Sequence, residues 1–398
     1  DSKFQGNRVL VQEVPNGYEP KFDSHGGGAI WNNGKMLVEK TQFYQNYTRR
    51  AKGGGAIHNQ GEIRFQDVAM AENEAKIDGD FPNSFGGAIL NEGDMYLVRT
   101  SIHHNTAKFA GAAMNRLGAE LFVINSTVAE NSAGVDAGLA SGHPFLDNGG
   151  TIHVYHSTVV FPEEGTGSPN APSISAESDY NIIIANSIVD NACGRPIYTG
   201  GYNLFHSLCP RLALPGSGAN EQTDQTGVDP FDAGITGMIH NGGPNFSDAI
   251  FASYKLQGSG AAIDVSGAMG CEYPLVEGVD QVMGARPNGQ FCDAGSMEVG
   301  SQPAKLKSTP AAPGGVLIFP AVFLNGGASS SETTLEIENN GGGLFLYQAQ
   351  IDESWNNTFE LIEGAEGGLG KNQKKTLKLR CMPKGQGSYY GMLLISTD

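Results

Sequence analysis

The sequence predicts an all-β protein, in which a right-handed parallel β-helix (a solenoid) is followed by a C-terminal immunoglobulin-like β-sandwich. Three observations predict this fold class. A Gly-Gly-Ala-Ile element recurs at short intervals in the first third of the chain, which is typical of stacked structural repeats. The segments between these elements are too short for helices and are rich in strand-forming residues. In residues 316–398, apolar and polar residues alternate over short segments, as they do in half-buried antiparallel strands.

The repeat has a constant part and a variable part. Four copies begin at Gly27, Gly54, Gly86 and, in the degenerate form Gly-Ala-Ala-Met, Gly111. Each copy continues to a second glycine and then to an asparagine: Gly34, Gly61, Gly93 and Gly118, then Asn46, Asn73, Asn105 and Asn131. The first glycine precedes the asparagine by 19, 19, 19 and 20 residues, whereas successive copies start 27, 32 and 25 residues apart. Insertions therefore follow the asparagine, and we expect a rigid coil with one variable loop.

Each copy of the repeat is expected to form one coil of about three short strands. Glycine or asparagine at the corners would accept the left-handed backbone conformation that a sharp turn requires. The corner asparagines should bond to one another between coils as an internal ladder. One apolar column should run through the core, formed by Ile30, Ile57, Ile89 and Met114. Residues 25–192 would then hold five or six coils, and residues 1–24 would cover the first.

The paired elements Gly-Gly-Ala-Ile and Phe43-Tyr44-Gln45-Asn46 resemble the repeats of the polymorphic outer-membrane proteins and related bacterial surface β-helices. The resemblance covers about residues 25–191. It implies a secreted adhesin or surface passenger rather than an enzyme.

Residues 193–300 lose the repeat but carry a series of short landmarks, including Tyr202-Asn203-Leu204, Ala262-Ile263-Asp264 and Cys292-Asp293-Ala294-Gly295. In order and spacing the landmarks resemble the choice-of-anchor Q domain, which closes many bacterial surface β-helices. We therefore expect an irregular C-terminal part of the β-helix. Its aspartates should form a polar knot beside an arginine that ties the irregular loops together, with a calcium site as the alternative. The residues of this knot are Asp264, Asp280, Asp293 and Arg286.

Residues 301–315 are rich in proline, alanine and glycine, and are predicted to be a linker. Six or seven short strands are predicted over residues 316–398, the first at 316–319, which suggests an immunoglobulin-like sandwich. The Asn339-Asn340-Gly341 turn and the closing segment 393–398 resemble the bacterial ASH and choice-of-anchor D modules. This resemblance implies a structural or interaction module without chemistry.

The net charge of −17 disfavours partners that are themselves negatively charged. Residues 301–398 hold eight Lys/Arg against nine Asp/Glu, so about −16 (−17 minus −1) lies on the first 300 residues. Nucleic acid and anionic membranes are therefore not expected as partners. No run of 18 apolar residues is present, so we expect no membrane span. The chain opens on Asp1-Ser2-Lys3, and we expect a secreted, extracellular or cell-surface protein whose signal peptide has been removed.

The five cysteines predict disulfides in an oxidising compartment. Pairing by proximity joins Cys193 with Cys209 and Cys271 with Cys292, and leaves Cys381 alone. None of them has the Cys-x-x-Cys spacing of zinc or redox sites. We expect Cys381 to be buried and inert, with a reactive or intermolecular role as the alternative.

The residue after each Gly-Gly-Ala-Ile element should point away from the core by alternation. This outward column would contain Trp31, His58, Leu90 and Asn115. Trp31 and His58 are the candidate binding residues, because an aromatic ring next to polar groups can stack on a sugar. The alternative for Trp31 is packing beneath the N-terminal segment.

Metal ligands and catalytic residues have weaker support in the sequence. Asp78 and Asp80, in the longest early insertion, are candidate calcium ligands, with solvated turns as the alternative. No other cofactor is expected. The pair His153 and His156 is not expected to bind a metal, because its spacing places the two rings on opposite faces of a strand. No phosphate loop, nucleophile elbow or zinc-protease motif is present, so we assign no catalytic residue.

Three functions fit these features. The first is a secreted or cell-surface structural or adhesive protein that binds a protein or a polysaccharide. The second is an extracellular polysaccharide lyase, hydrolase or epimerase that works in a groove along the coils. The third is the subunit of an extracellular filament that assembles head to tail. Because insertions fall at one corner, the binding surface should be the edge that carries the loops 78–84 and 135–148.

Overall fold

The chain is nearly all β-structure and divides into two compact units. The first contains Asp1–Gln281 and Ala285–Ser301, and the second contains Val282–Gly284 and Gln302–Asp398. A computed structural model describes residues 2–10, 26–49, 53–76, 84–116, 118–133, 138–141, 149–160, 173–176, 178–179, 181–190, 195–207, 209–215, 223–230, 232–240, 251–258, 260–266, 271, 276–300, 305–311, 315–322, 330–341, 345–352, 358–370 and 372–397. Among these residues no helix is long and apolar enough to cross a membrane.

Four parallel sheets build the first unit as a parallel β-helix, and a full coil visits them in the order I, II, III, IV. Every strand pairs with the equivalent strand of the next coil. Sheet I contains Ile30–Asn32, Ile57–Asn59, Ile89–Asn91, Ala113–Asn115, Leu139–Ser141 and Ile174–Ala176. Sheet II contains Lys35–Glu39, Glu62–Gln66, Asp94–Val98, Glu120–Ile124, Thr151–Tyr155, Ile182–Ala185, Ile197–Gly201 and Arg211–Ala213.

The other two sheets complete the coils. Sheet III contains Ser2–Gln5, Thr41–Tyr44, Ala69–Ala71, Ser101–His103, Thr127–Ala129, Thr158–Val160, Ile188–Val189, Leu204–Phe205 and Gln225–Thr226. Sheet IV contains Arg8–Leu10, Tyr47–Arg49, Glu74–Lys76, Thr106–Ala107 and Ser132–Ala133. A coil thus has up to four strands rather than the predicted three. The stack also extends further at both ends than the five or six predicted coils, because strands 2–10 and 197–226 pair in register without the glycine signature.

Side-chain alternation explains how each strand contributes to the core. In Glu62–Gln66 the burial alternates, with Ile63 and Phe65 inside and the polar residues outside. The predicted apolar column is confirmed for Ile30, Ile57 and Ile89, but its fourth member is Ala113 rather than Met114. The fourth repeat begins at position 110, one residue earlier than predicted. It has two more residues between Asn115 and Glu120 than the third repeat has between Asn91 and Asp94.

Three ladders of polar side chains run through the corners of the stack. The predicted ladder is confirmed: each asparagine amide donates to the side-chain oxygen of the next at 2.8–2.9 Å, through Asn7, Asn46, Asn73, Asn105 and Asn131. A second ladder at the corner between sheets I and II has distances of 2.7–2.8 Å and contains Asn32, Asn59, Asn91 and Asn115. In the third ladder, between sheets II and III, the side-chain oxygen of one residue accepts the backbone N–H of the equivalent residue in the preceding coil. This ladder contains Ser126, Ser157, Ser187 and Asn203.

The left-handed corner residues are mostly neither glycine nor asparagine, which corrects the prediction. Between sheets II and III they are Lys40, Asp67, Arg99, Asn125, His156, Asn186 and Tyr202. Between sheets III and IV they are Gln45, Glu72, His104 and Glu130, each directly before a ladder asparagine. The ladders hold these strained residues in place. The glycine directly before the alanine of the Gly-Gly-Ala-Ile element has a different role, since a Cβ on Gly28 or Gly55 would lie about 2 Å from a carbonyl oxygen of the next coil.

Residues after the last coil form a layer along the stack rather than an end cap. The antiparallel pair Ile235–His240 and Ala252–Leu256 belongs to this layer. Its apolar residues pack against residues of sheet III, including Ala129, Val160 and Ile188. The predicted region 193–300 therefore has two parts: its first strands continue the coils, and the remainder covers the side of sheet III.

A buried polar knot organises the end of this layer, as predicted, with Glu298 as an additional member. Arg286 donates to the Glu298 carboxylate at 2.7 Å and to the carbonyl oxygens of Asp293 and Gly295. The carboxylates of Asp293 and Asp280 accept backbone N–H groups. Burial raises the pKa of Glu298 to about 7. The predicted Cys271–Cys292 disulfide is present, whereas Cys193 lies outside the described residues.

The second unit is a β-sandwich. One sheet has the strand order Leu306–Thr309, Ser331–Asn339, Lys374–Cys381, Phe359–Glu363, and the other has Glu366–Leu369, Phe345–Ile351, Leu393–Thr397. Leu335, Ile337 and Leu377 of the first sheet meet Tyr347 and Ala349 of the second in the core. The predicted linker thus contains the first strand, and 316–319 is not a strand. Cys381 is a free, buried cysteine, and burial raises its thiol pKa.

Candidate functional site

Trp31 and His58 are neighbours in sheet I, but only Trp31 reaches solvent. Trp31 pairs with His58, His58 with Leu90 and Leu90 with Met114. Trp31 is 50% exposed, whereas the other three are fully buried. The predicted outward column is therefore wrong in two respects. Its fourth member is Met114, because Asn115 belongs to the internal ladder, and only its first member is open to solvent.

The buried part of this column has a second apolar layer over it. Phe85 and Phe109 stack with ring centroids 5.8 Å apart, and they form one buried cluster with Leu90, Met114 and Ala140. Both phenylalanines lie on the connections that lead from sheet IV to sheet I. Phe85 and Phe109, in the described part of these connections, thus cover the outer face of sheet I at Leu90 and Met114.

A chain of hydrogen bonds links Trp31 to a carboxylate two coils away. The Trp31 indole N–H donates to the side-chain oxygen of Gln60 at 3.2 Å, and the Gln60 amide donates to Glu92 at 3.0 Å. Arg116 approaches the other oxygen of Glu92 at 3.1 Å. Gln60, Glu92 and Arg116 occupy the same position in successive coils, two residues after the column that contains His58. We call Trp31, His58, Gln60, Glu92 and Arg116 the Trp31 cluster.

His58 supports this cluster from below. The backbone N–H of Gly26 donates to its Nδ1 at 3.3 Å, so Nδ1 is the acceptor and Nε2 carries the proton. Nε2 then donates to Glu92 at 2.9 Å. The carboxylate is thereby fixed by His58, Gln60 and Arg116 together. His58 is a positioning residue and has no exposed surface with which to touch a ligand.

The cluster combines a half-exposed aromatic ring, whose indole N–H is bonded to Gln60, with polar groups that are bonded to one another. The ring position is held by the Gln60 side chain, so little conformational freedom remains to be lost when a ligand stacks on it. Amide, carboxylate and guanidinium groups spaced by one coil, about 4.8 Å, extend from the ring along the stack.

The outer face of sheet II carries a second set of ordered side chains. Tyr96, Phe122 and His153 occupy one column and stack face to face, with centroid distances of 4.7 Å and 4.2 Å. Their ring faces are therefore used within the stack, and mainly ring edges are left for solvent. This stack is a stabilising column rather than a platform for sugar rings.

His153 links a carboxylate to a phenol on this face. Its Nε2 lies 2.7 Å from Glu120, and its Nδ1 lies 3.1 Å from the Tyr155 hydroxyl. Burial lowers the pKa of His153, which favours the neutral imidazole. Because the carboxylate can only accept, Nε2 donates to it and Nδ1 accepts from Tyr155. From the sequence, the pair His153 and His156 was not expected to bind a metal, and no motif points to this hydrogen-bond chain.

The remaining predicted site residues are not brought together by the described structure. Asp78 and Asp80 lie outside the described residues, as do most residues of the loops 78–84 and 135–148. Within the described part of the chain, no group of three or more His, Cys, Asp or Glu side chains is arranged to hold a metal ion.

Comparison with known proteins adds no relative. No family model matches the chain, and no curated protein and no solved structure matches it.

Proposed function

We propose that the protein is a secreted or cell-surface structural or adhesive β-helix that binds polysaccharide at the Trp31 cluster. One observation carries the proposal: a half-exposed indole is held in place by hydrogen bonds that run from Gln60 to Glu92. Aromatic side chains with a fixed polar end are suited to ligands that have both apolar and hydroxylated faces, as sugars do.

Other features support an extracellular setting. The Cys271–Cys292 disulfide is typical of oxidising compartments. The repeats resemble those of bacterial surface β-helices, whose members are adhesins and surface passengers. The net charge of −17 disfavours nucleic acid as the ligand. A polysaccharide at the cell surface is therefore the partner class that fits the chain best.

Substitution of Trp31 tests the proposal. Binding of soluble β-glucan, xyloglucan, galactomannan, polygalacturonate and chitosan would be measured by affinity electrophoresis and calorimetry. We expect at least one of them to bind, and Trp31→Ala to weaken that binding about tenfold, or about 1.4 kcal/mol. Trp31→Phe, which keeps a ring but loses the N–H, should lose less.

Leu37→Ala is the matched control, because Leu37 is an exposed apolar side chain of the same coil on sheet II. It should bind as the wild type does. The proposal fails if none of the five polysaccharides binds, or if Trp31→Ala and Leu37→Ala behave alike while both remain folded.

An extracellular polysaccharide lyase, hydrolase or epimerase is the second candidate, and the hydrogen-bond chain from Tyr155 through His153 to Glu120 favours it. The chain has the order of a proton donor, a base and an orienting carboxylate. If it is catalytic, products should accumulate from a panel of polyuronates and neutral glycans, and His153→Ala should slow their release about 100-fold or more. Tyr96→Phe is the control within the same column. No release of unsaturated sugars or reducing ends, and no epimerised residues, would reject this candidate.

A further inference from the structure

A polar groove lies on the other side of the variable corner, along the turn between sheets III and IV. Its volume is about 510 Å³, and it is open to solvent along its length. It is lined by Gln45, Asn46, Tyr47, Arg49, Glu72, Glu74 and Lys76. None of these residues belongs to the Trp31 cluster, and no motif of the sequence pointed to them as a site.

The groove is lined by residues of two successive coils, and its walls are columns of equivalent residues. One wall is formed by the left-handed corner residues Gln45 and Glu72. The other is formed by Arg49 and Lys76, which are register partners in sheet IV. Tyr47 pairs with Glu74 between the two walls. Asn46 belongs to the internal ladder and turns inward, so the surface between the walls is concave.

The same columns continue in the following coils. The corner column continues with His104 and Glu130, and the middle column with Thr106 and Ser132. Lys108 lies two residues after Thr106, as Lys76 lies two residues after Glu74. The corner and middle positions of the groove therefore recur in the next two coils, whereas the groove itself is lined by residues of two coils.

Charges inside the groove are balanced. Two cations, Arg49 and Lys76, face two carboxylates, Glu72 and Glu74. Lys76 lies 3.7 Å from Glu74, and the Gln45 amide donates to Glu72 at 2.9 Å. Both charged groups of the Lys76–Glu74 pair are about half exposed, so this pair is weak and can be rearranged at little cost.

This balance argues against a charged ligand. A polyanion would be repelled by the net negative charge of the first unit and by the groove carboxylates. A polycation would be repelled by Arg49 and Lys76. An uncharged ligand rich in hydroxyl groups meets no such conflict, because each hydroxyl can donate to a carboxylate and accept from a cation. Such charge-assisted hydrogen bonds are stronger than those between neutral groups.

We propose that this groove binds a linear, uncharged polysaccharide that lies parallel to the coil stack. The inference rests on the proposed function and names its ligand class and a second binding surface. The row of equivalent positions, about 4.8 Å apart, matches a polymer whose sugars repeat at a similar distance. Tyr47 contributes a ring to the floor, and the two walls contribute the hydrogen-bonding groups.

The test uses length series of cello-, xylo- and manno-oligosaccharides, with oligogalacturonates and chitosan oligomers as charged comparisons. In calorimetry we expect one neutral series to bind with an affinity that rises with length until the chain spans the strands of sheet IV. That affinity should hardly change with NaCl concentration. Arg49→Gln and Lys76→Gln should each weaken it about tenfold, because both side chains lie in the groove wall.

Lys35→Gln is the matched control, since it removes the same charge from an exposed lysine on sheet II. It should leave the affinity unchanged. The inference is overturned if only the charged oligomers bind, if none of the oligomers binds, or if Arg49→Gln and Lys76→Gln bind as Lys35→Gln does. If Trp31→Ala weakens oligosaccharide binding but Arg49→Gln and Lys76→Gln do not, the proposed binding site in the groove is overturned and the proposed function still stands.

Discussion

Replacement of Arg99 by methionine should lower the free energy of unfolding by about 3–5 kcal/mol. Arg99 lies at a left-handed corner with 2% of its side chain exposed. Its guanidinium binds both oxygens of Asp67, at 2.7 Å and 3.3 Å, and reaches Glu277 at 3.1 Å. Methionine keeps the apolar stem but leaves the Asp67 carboxylate buried without a charge partner. Urea unfolding followed by circular dichroism would measure the loss.

Arg64→Met provides the matched control for this prediction. Arg64 also pairs with Glu277, at 3.1 Å, but both side chains are partly exposed. Its replacement should cost less than about 1 kcal/mol. The double variant Arg99→Met/Asp67→Asn should recover part of the loss, because the unpaired charge is removed. Equal effects of the two arginine variants would show that burial of the ion pair is not the cause.

Gly55→Ala should prevent the native stack from forming, or destabilise it by about 3 kcal/mol or more. A Cβ at this position would lie 2.1 Å from the carbonyl oxygen of Gly87 and 2.6 Å from the backbone nitrogen of Glu74. Both atoms belong to the backbone, so no side-chain rotation relieves the overlap. The expected readout is a low yield of folded protein, or a large decrease in the midpoint of thermal unfolding.

Gly34→Ala separates this effect from the general one of replacing glycine. A Cβ on Gly34 would meet no heavy atom within 4 Å among the described residues. Reduced freedom of the unfolded chain should then make the variant neutral or more stable by up to about 1 kcal/mol. If Gly55→Ala were as stable as Gly34→Ala, the close approach of successive coils at this corner would be contradicted.

The stack was predictable because its residues recur at fixed offsets. Asn46 and Asn73 hold the same place in each repeat, and the ladder that they form could be predicted from spacing alone. The second ladder has an equally regular signal, since Asn32 and Asn59 lie two residues after the isoleucine of each repeat. This ladder was not predicted. The start of the fourth repeat was predicted one residue too late, because this repeat begins with alanine and lacks the glycine that marks the other starts.

The site was less predictable, because it depends on contacts that have no period. Gln60, Glu92 and Arg116 share a position but not a residue type, so no repeat marks them. The cover over Leu90 comes from the insertions, whose path a sequence pattern does not specify. The layer on sheet III depends on pairs far apart in the chain, such as Thr127 with Gln281, which are 154 residues apart.

The parallel stack also determines what the surface can bind. Each outward column repeats once per coil, so any binding groups are presented in rows along the axis. At the Trp31 cluster the row begins with an aromatic ring and continues with polar groups that hold one another in place. This geometry favours an extended polymer over a small molecule.

A crystal structure of the protein with the oligosaccharide that binds it most tightly would show whether the ligand lies at the Trp31 cluster. We expect a sugar ring stacked on the exposed face of the Trp31 indole, with its hydroxyl groups within hydrogen-bonding distance of Gln60, Glu92 or Arg116. An oligosaccharide bound elsewhere, with the Trp31 ring covered by the protein's own chain, would contradict it.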